Sequence, residues 1–274
     1  MPPRLAAATC RLLVWLCLTA AVAGCAGHRS GPPRLVEQPQ WKKHFEAAGV
    51  SGAMVLQKDG AREILVFDAK RAATPYLPAS TFKILNTLIA LDTGAVAGPD
   101  EVFPYDGVPR FLPAWNADLT LRQAFAVSCV PVYQEIARRI GPERMARCVA
   151  AAGYGNADIS GGIDLFWLQG GLRISALEQL DFLARLSRRE LPFSANAVAV
   201  TLDVMVAETT PDYVLRAKTG WAARVSPGIG WYVGTVTRGR DTWYFALNID
   251  IDNPAQAPAR EAVARAILRS EGVL

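Results

Sequence analysis

The pattern of hydrophobic and polar positions divides the chain into strands, a long helical middle and strands again. Residues 51–57 and 63–68 contain alternating or continuous apolar positions, and Lys58-Asp59-Gly60 between them is typical of a hairpin. From a helix that begins near residue 80 to about residue 207, apolar residues recur with the period of a helix. Beyond Pro211 the pattern returns to that of strands, with aromatic and β-branched residues.

The bounds of the predicted elements follow from this periodicity. The helices are predicted at Trp41–Ala48, Phe82–Leu91, Leu119–Val127, Val132–Ile140, Pro142–Ala152, Ala176–Arg188, Ala195–Ala207 and Ala259–Leu268. The later strands are predicted at Tyr213–Lys218, Gly230–Thr237 and Thr242–Asp250. Asp118 and Ser175 are the predicted N-caps of the helices that follow them. Together these elements predict an α/β fold of the α+β type. An antiparallel sheet formed by both ends of the chain, with the N- and C-terminal strands paired, is flanked by helices around a helical middle region.

The helix at residues 82–91 is almost wholly apolar, which predicts that it is buried on every side. Pro78 suits its first turn, where a missing N–H has no cost, and Gly94 lies where the helix would end. Ser80 and Lys83 are three residues apart and therefore share a face. A hydroxyl and an amine are thus brought together at the buried start of a central helix, although this spacing alone also occurs by chance.

Composition and charge narrow the function classes. The 274 residues are 51% hydrophobic and 20% charged, which is ordinary for a globular protein with an ample core. The formal net charge of +4 is modest, and the basic residues are scattered without interleaved aromatic residues, so the sequence argues against nucleic acid as a partner. Neither glycine-rich phosphate-binding pattern, G-x-G-x-x-G or G-x-x-x-x-G-K-[ST], is present.

The first 25 residues predict a secretory signal peptide. Arg4 and Arg11 precede an apolar run from Leu12 to Val22 that ends in small residues. The run is too short to span a membrane as a mature anchor. We therefore expect the folded part of the chain to act outside the cytoplasmic membrane.

The end of this segment also predicts a lipid anchor. Val22-Ala23-Gly24-Cys25 resembles a bacterial lipobox, in which the cysteine becomes the lipidated first residue. The alternative is simple cleavage near this point, with the cysteine incidental. Residues 26–40 are polar and contain prolines, which predicts a tether, and residues 41–274 form the predicted domain.

Cysteine and histidine content restricts the chemistry. In the predicted domain only Cys129 and Cys148 remain; both lie in helical stretches, and we expect two free thiols rather than a disulfide. Histidine is confined to His28 and His44, which gives little material for a Ser-His-Asp hydrolase or for a zinc site. We expect no metal.

A serine nucleophile in this chain therefore needs a lysine or a carboxylate as its base. A lysine can act in this way only if its pKa falls, and burial among apolar groups lowers the pKa of an amine. Lys83 lies between Phe82 and Ile84 and is expected to have such surroundings. Ser80 and Lys83 are thus a candidate nucleophile and base.

Three further tripeptides add to this pair. Ser128-Cys129-Val130 precedes a proline at a helix start and offers either a hydroxyl that relays a proton or a plain N-cap. Tyr154-Gly155-Asn156 has the composition of a turn, within a long glycine-rich loop at residues 153–171, and long ordered loops are often functional. Lys218-Thr219-Gly220 is a common tripeptide that here ends a predicted strand, where glycine lets a ligand backbone approach closely.

In this order and spacing, the motifs resemble those of the penicillin-interacting serine enzymes. Within that group the match is closest to the class D β-lactamases, the oxacillinases, and it covers nearly all of residues 51–274. The family pattern appears as Ser80-Thr81-Phe82-Lys83, Ser128-Cys129-Val130, Tyr154-Gly155-Asn156, Phe166-Trp167-Leu168 and Lys218-Thr219-Gly220. The flanking sequences that are also similar are Ser160-Gly161-Gly162-Ile163-Asp164, Leu172-Arg173-Ile174-Ser175 and Ala246-Leu247-Asn248-Ile249-Asp250. Ser-x-Val stands where class A enzymes have Ser-Asp-Asn.

The resemblance implies the β-lactamase and transpeptidase-like fold and the hydrolysis of β-lactam antibiotics, with penicillins of the oxacillin type as substrates. Ser80 would attack the lactam carbonyl and form an acyl-enzyme. Lys83 would carry a carbamate made from carbon dioxide, as N6-carboxylysine, and would act as general base with the indole N–H of Trp167 bound to it. Ser128 would pass a proton to the lactam nitrogen, and Lys218 would set the local potential. No other cofactor is implied.

The resemblance also implies which groups bind the small-molecule β-lactam. The substrate-binding residues would be Val130, Leu168, Thr219, Gly220, Trp221 and Arg260. The backbone N–H groups of Ser80 and Trp221 would form the oxyanion hole. Thr219 and Arg260 would bind the substrate carboxylate, the arginine through its planar fork. The hairpin connection at residues 221–227 would border the substrate.

Two of these assignments have plainer alternatives. Arg260 lies in Ala257-Pro258-Ala259-Arg260, where the family pattern is loose, and its alternative role is that of a surface charge. The alternative role of Trp167 is core packing. Val130 and Leu168 would keep the site dry.

Two other functions share these motifs. A D,D-peptidase, a penicillin-binding protein, is acylated in the same way but deacylates slowly; Trp167 beside a lysine that can carry a carbamate favours hydrolysis instead. A β-lactam sensor domain is acylated once and signals through a membrane-spanning transducer, whereas the sequence shows only a signal peptide. With that signal peptide, the resemblance implies the periplasm of a Gram-negative bacterium, with a membrane anchor if Cys25 is lipidated.

Overall fold

The strand patterns at the two ends of the chain form one sheet in the computed structural model, which describes Met1 and residues 33–274. The predicted signal peptide, the lipobox cysteine and the tether as far as residue 32 lie outside the described residues. The strands are β1 (Arg34–Glu37), β2 (Gly52–Lys58), β3 (Glu63–Phe67), β4 (Val102–Phe103), β5 (Leu119–Thr120), β6 (Val206–Thr209), β7 (Val214–Ala222), β8 (Gly228–Arg238) and β9 (Asp241–Ile251). The order in the sheet is β1-β3-β2-β9-β8-β7-β6, and β4 pairs separately with β5.

The N- and C-terminal strands pair, as predicted. β2 runs antiparallel to β9, from Gly52 opposite Ile249 to Lys58 opposite Trp243. The predicted β2–β3 hairpin also forms, and β7, β8 and β9 are antiparallel neighbours. This arrangement brings the two ends of the predicted domain into the centre of one sheet.

The sheet is mixed rather than wholly antiparallel, because β1 pairs with β3 in parallel. The backbone pairing extends from Arg34 opposite Glu63 to Glu37 opposite Val66. The tether predicted at residues 26–40 is therefore wrong for residues 34–37, which form this strand. Four mostly exposed residues show no clear period, and this strand is stabilised by backbone hydrogen bonds that the side-chain pattern does not reveal.

Each of the predicted helices forms, with ends that move by a few residues. The helices are α1 (Lys42–Ala47), α2 (Ala69–Ala72), α3 (Lys83–Asp92), α4 (Leu121–Ala126), α5 (Val130–Ile140), α6 (Pro142–Ala152), α7 (Ala176–Ser187), α8 (Ala195–Val204) and α9 (Ala259–Ser270). The single turn α2 was not predicted. Among the described residues, the helices are all too short or too polar to cross a membrane.

One of the two predicted helix caps is correct. Ser175 Oγ accepts the backbone N–H of Glu178 at the start of α7, and the Glu178 carboxylate accepts the N–H of Ser175 in return. The prediction of Asp118 as the cap of α4 is wrong, because Thr120 caps this helix. Residues 119–120 form β5 first, and the Asp118 carboxylate instead accepts the N–H of Tyr105 at 2.7 Å.

Two other predicted boundaries change because strands replace helix or loop. The helix predicted as far as Ala207 ends at Val204, and β6 begins at Val206 as the edge strand beside β7. The strand predicted to end at Lys218 continues to Ala222. In both places the added strand residues pair with the next strand along the chain, which adds backbone hydrogen bonds that the periodicity of one segment does not show.

The sheet separates two hydrophobic cores. The smaller core lies between the sheet and the helices α1 and α9, and includes Phe45, Leu215 and Ile267. The larger core lies between the other face and the remaining helices, and it surrounds α3. Every residue from Lys83 to Ala90 in α3 is buried, which confirms the prediction that this helix is enclosed on all sides.

Candidate active site

Ser80 lies in a short 3-10 turn, Ala79–Phe82, that leads directly into α3. Ala79, immediately before it, has a φ of 48°, a left-handed conformation that is strained for a residue with a side chain. The N–H of Ala79 donates to the backbone oxygen of Trp167 at 3.0 Å. The loop at residues 153–171 therefore helps to hold the strained turn that presents Ser80.

Lys83 reaches the hydroxyl of Ser80. Its Nζ lies 2.7 Å from Ser80 Oγ, and it is 5.2 Å from the ring centroid of Tyr133. The residue is fully buried. Burial lowers the pKa of Lys83 well below its usual value, and the positive charge of Lys218 lowers it further. The neutral amine is therefore favoured, and a neutral amine can accept a proton.

Ser128 lies between α4 and α5 in a left-handed conformation, with a φ of 58°. The N-cap of α5 is Cys129, whose side chain makes no capping hydrogen bond, so the alternative role of Ser128 as a cap does not apply. Val130 is the first residue of α5 and is half-buried. The thiols of Cys129 and Cys148 are free, the first buried and the second partly exposed.

Lys218 lies within β7 and is only 4% exposed. Its Nζ is 3.3 Å from both the backbone oxygen and the Oγ1 of Thr219, and 5.5 Å from the ring centroid of Phe125. Burial, followed by the positive charge of Arg260, lowers the pKa of Lys218 to about 7. Lys218 is therefore a buried amine that titrates near neutral pH, and its positive charge acts on Lys83.

Replacing Lys218 by methionine is expected to stabilise the fold at neutral pH. The pKa of Lys218 is about 7 in the folded protein against an ordinary value of 10.5, so the unfolded chain binds more protons between these values. The contribution of Lys218 to stability therefore rises with pH across that interval. Lys218→Met should raise the free energy of unfolding at pH 7 by up to about 4 kcal/mol. The gain should shrink as the pH approaches 10.5.

Urea unfolding of the purified protein at several pH values from 6 to about 10.5 measures this effect. The exposed Lys43 offers a matched control, because Lys43→Met removes an amine that is already in water. A Lys218→Met variant that is less stable than the wild type at pH 7, or a gain that does not change with pH, would contradict the prediction.

Gly220 allows β7 to approach the turn before Ser80. Gly220 lies opposite Trp231, and Lys218 lies opposite Val233. Because Trp231 and Val233 belong to the larger core, Gly220 and Lys218 occupy the face of β7 that is turned toward this core. A Cβ on Gly220 would lie 2.9 Å from the backbone oxygen of Pro78. The sequence predicts that Gly220 leaves space for the backbone of a ligand. In the structure the backbone that comes close to Gly220 is that of Pro78 in the protein itself.

Thr219 and Trp221 lie on the other face of β7, toward α9. Arg260, the second residue of α9, is half-buried; its Nη1 donates to the backbone oxygen of Ala257 at 2.8 Å, and its Nε has no partner among the described residues. Burial lowers the pKa of Arg260, and its charge acts on Lys218. Arg260 is therefore not a plain surface charge. The candidate substrate-binding side chains thus divide between the two faces of β7.

The second half of β7 has a free edge. β6 pairs with β7 only from Thr209 opposite Val214 to Val206 opposite Arg216. Among the described residues, the backbone of residues 218–222 pairs with β8 alone. An unpaired strand edge can add an extended ligand through backbone hydrogen bonds.

Trp167 is fully buried, with its ring stacked on Phe82 at a centroid distance of 5.4 Å and edge-on to Phe166 at 4.9 Å. Core packing is thus part of its role. Its indole Nε1 is nevertheless buried without a hydrogen-bond partner in the described part of the chain. An unpaired buried N–H costs about 1–3 kcal/mol, so this position favours a ligand that accepts a hydrogen bond. Leu168 follows it and is half-buried.

Asn156 closes the base of the loop that carries Trp167. Its Oδ1 accepts the N–H of Arg173 at 2.9 Å, and its Nδ2 donates to the backbone oxygen of Gly171 at 2.9 Å. Gly155 has a φ of 54°, and a Cβ there would lie 2.0 Å from the backbone oxygen of Arg173. The predicted turn therefore fixes both ends of the loop.

The aromatic rings that lie against the amines of Lys83 and Lys218 are not predicted from the sequence. Tyr133 in α5 contacts Lys83, and Phe125 in α4 contacts Lys218. Both aromatic residues have the spacing of core positions in a helix, so the pattern identifies them as core and says nothing of the amines. In residues 33–274 no three His, Cys, Asp or Glu side chains are grouped in a way that could hold a metal ion.

Comparison with known proteins places this arrangement in a family. The family model described as "Penicillin binding protein transpeptidase domain" matches residues 43–269. The β-lactamase OXA-5 of Pseudomonas aeruginosa is 44% identical over 241 residues, covering 87% of this chain and 90% of the relative. A crystal structure of the class D β-lactamase YbXI from Nostoc has a TM-score of 0.84 and 43% identity, and covers 85% of this chain and 99% of that one.

The chain belongs to the class D β-lactamases. The β-lactamase OXA-48 of Klebsiella pneumoniae is 42% identical and covers 87% of this β-lactamase and 90% of its own length. The predicted family, the predicted fold and the prediction of a β-lactamase hydrolase are confirmed. Each of these relatives is named as a β-lactamase, which favours hydrolysis over the peptidase and sensor functions.

Proposed function

We propose that this class D β-lactamase hydrolyses penicillins of the oxacillin type through an acyl-enzyme on Ser80, with a carboxylated Lys83 as general base. The observation that carries the proposal is the distance of 2.7 Å between Ser80 Oγ and the Nζ of a fully buried lysine. A nucleophile and a base must lie within hydrogen-bonding reach of each other, and a buried lysine with a lowered pKa can serve as the base.

In the acylation step, Ser80 Oγ forms a bond to the lactam carbonyl carbon and the carbon–nitrogen bond of the ring breaks. The proton of the hydroxyl moves toward the side chain of Lys83. Ser128 gives its hydroxyl proton to the leaving nitrogen and takes in return the proton that Ser80 passed to the base on Lys83. The positive charge of Lys218 is assigned to lower the barrier to this transfer. The backbone N–H groups of Ser80 and Trp221 are assigned to the oxyanion hole.

The surroundings of Lys83 fit a carbamate. Burial lowers the pKa of Lys83 and so favours the neutral amine, which is the form that adds carbon dioxide. The indole N–H of Trp167 is buried and unpaired, so it has a hydrogen bond to give to an anionic oxygen. A carbamate on Lys83 supplies a carboxylate base in this dry position.

The substrate carboxylate is assigned to the cationic end of β7. Lys218 is buried, Arg260 is half-buried, and the positive charge of Arg260 acts on Lys218. Thr219 follows Lys218 in β7, and its Oγ1 lies 3.3 Å from the Nζ of Lys218. The amide side chain of a penicillin would pair with the free edge of β7, and Val130 and Leu168, both half-buried, would limit the entry of water.

The N-terminal sequence supports a location for the enzyme. The apolar run from Leu12 to Val22 and the sequence Val22-Ala23-Gly24-Cys25 favour export and attachment of a lipid at Cys25. We place the enzyme in the periplasm of a Gram-negative bacterium, held at the membrane. Labelling of the expressed protein with a radioactive fatty acid, compared with Cys25→Ser, tests the anchor.

Steady-state hydrolysis of oxacillin and benzylpenicillin, at low and neutral pH and with and without bicarbonate, tests the chemistry. The pKa of Lys83 is lowered, so the amine remains neutral until the pH falls through that value. Turnover should therefore be lost as the pH falls and should return when bicarbonate raises the carbon dioxide concentration. A stoichiometric burst without turnover under every condition would instead indicate a peptidase or a sensor.

A further inference from the structure

A chain of hydrogen bonds lies buried beneath the turn that carries Ser80. Tyr154 Oη donates to Gln179 Oε1 at 3.4 Å, Gln179 Nε2 donates to Thr81 Oγ1 at 2.8 Å, and Thr81 Oγ1 donates to the backbone oxygen of Pro78 at 2.8 Å. Tyr154, Gln179 and Thr81 are each fully buried. Gln179 lies in α7 and therefore connects that helix, the loop after α6 and the turn of the nucleophile.

Each hydrogen bond in this buried series has a defined donor and acceptor. The backbone oxygen of Pro78 can only accept, so the hydroxyl of Thr81 must donate to it. The hydroxyl then has only its lone pairs left for Gln179, and it must accept from the amide nitrogen. The amide oxygen remains for Tyr154. In this orientation the side-chain groups of Thr81, Gln179 and Tyr154 are all paired.

This series of hydrogen bonds ends at Pro78, where the turn that carries Ser80 comes close to β7. The backbone oxygen of Pro78 accepts both the hydroxyl and the N–H of Thr81. It is also the atom that a Cβ on Gly220 would approach to 2.9 Å. The next residue is Ala79, whose φ of 48° aims Ser80 at Lys83. Holding Pro78 therefore holds the strained residue that follows it.

We propose that Gln179 is a positioning residue for the nucleophile, which rests on the proposed role of Ser80. Gln179 is fully buried, and it reaches the turn of the nucleophile through Thr81 and Pro78. A fully connected buried network specifies one geometry for the groups at its end. Here that geometry is the strained turn, in which Ser80 Oγ lies within hydrogen-bonding distance of Lys83.

Loss of this network should affect acylation more than deacylation. A displacement of the attacking atom by about 1 Å can reduce a rate about 100-fold, and Ser80 Oγ is the attacking atom only in acylation. In deacylation the attacking atom belongs to water. Gln179→Met keeps the length of the side chain and removes the amide, so it should lower the acylation rate constant about tenfold or more.

Stopped-flow acylation and single-turnover deacylation with a chromogenic penicillin measure the two steps separately. Thr81→Val removes the hydrogen bond to Gln179 from the other end, together with the one to the backbone oxygen of Pro78, and should lower the acylation rate at least as much. Thr81→Ser keeps the hydroxyl and should recover most of the rate. Thr201→Val is the matched control, because it removes a buried hydroxyl that has no partner among the described residues.

The double variant Gln179→Met with Thr81→Val separates a connected chain from two independent contacts. If the chain acts as a unit, the double variant should acylate no more than about threefold slower than the slower single variant. Multiplication of the two single effects would overturn the proposal. If Gln179→Met does not fold, equal acylation rates for Thr81→Val and Thr81→Ser would still overturn the proposal, because Gln179 reaches the turn through the Thr81 hydroxyl.

Failure of this inference is distinguishable from failure of the proposed function. Mass spectrometry of a peptide digest locates the penicilloyl adduct on the wild-type protein, and an adduct on any residue other than Ser80 would overturn the proposed function. An adduct on Ser80 that forms in Gln179→Met within about twofold of the wild-type rate would overturn only the role of Gln179. Equal losses in acylation and deacylation would also overturn it, because they indicate a general structural defect.

Discussion

Replacing Lys83 by alanine is expected to lower kcat for penicillin hydrolysis by about 10⁴-fold or more, because both chemical steps lose their base. The amine of Lys83 lies 2.7 Å from Ser80 Oγ, and it lies 5.2 Å from the ring centroid of Tyr133. The fully buried amine lies where bulk water cannot readily take its place. We therefore expect neither rapid acylation nor turnover in this variant.

Steady-state kinetics with a chromogenic penicillin measure the loss, and circular dichroism checks that the variant is folded. Lys70→Ala is the matched control, since Lys70 is exposed, unlike the two buried lysines Lys83 and Lys218. The wild type should also lose activity as the pH falls through the lowered pKa of Lys83. The residual activity of Lys83→Ala should not show this decrease at low pH. Turnover by Lys83→Ala at the wild-type rate would refute the assigned mechanism.

The elements that sequence analysis predicts well are those whose stability is decided locally. The helix that became α3 has a continuous apolar run, so both its existence and its burial follow from its composition. The cap at Ser175 is also local, because the capping partner Glu178 lies three residues away. In such cases the residues that specify the element and the residues that stabilise it are the same.

The elements that it misses depend on backbone pairing with another segment of the chain. β1 and β6 are four-residue edge strands that exist because β3 and β7 offer them backbone groups. The choice between Asp118 and Thr120 as a cap depends in the same way on whether residues 119–120 pair with β4. A period of two residues cannot be read from segments of two to four residues.

The candidate site shows the same division. Ser80 and Lys83 could be paired from their spacing alone, because three residues in a helix bring side chains onto one face. Lys218 and Trp167 lie far along the chain, and only the resemblance to a family placed them beside Ser80. Gln179 belongs to no motif, and its role depends on the buried contacts that α7 makes with the nucleophile turn.

Replacing Trp167 by phenylalanine should leave acylation within about threefold of the wild type but slow deacylation about 100-fold. The phenyl ring keeps the stacking on Phe82 and the packing against Phe166, whose contacts with Trp167 have centroid distances of 5.4 and 4.9 Å. The substitution removes only the indole N–H, which is buried and has no other partner among the described residues. That N–H is therefore free to stabilise an anionic base on Lys83, which deacylation requires.

The expected time course is a burst of one equivalent of product followed by a slow steady state. Bicarbonate should raise the slow rate, because a higher carbon dioxide concentration opposes loss of the group that the indole no longer holds. Trp243→Phe is the matched control: this tryptophan lies on β9 with Lys58 over its ring, away from Ser80, and its replacement should leave both steps unchanged. A variant that loses acylation and deacylation equally would show that Trp167 acts through packing alone, since its backbone oxygen also holds Ala79 beside the nucleophile.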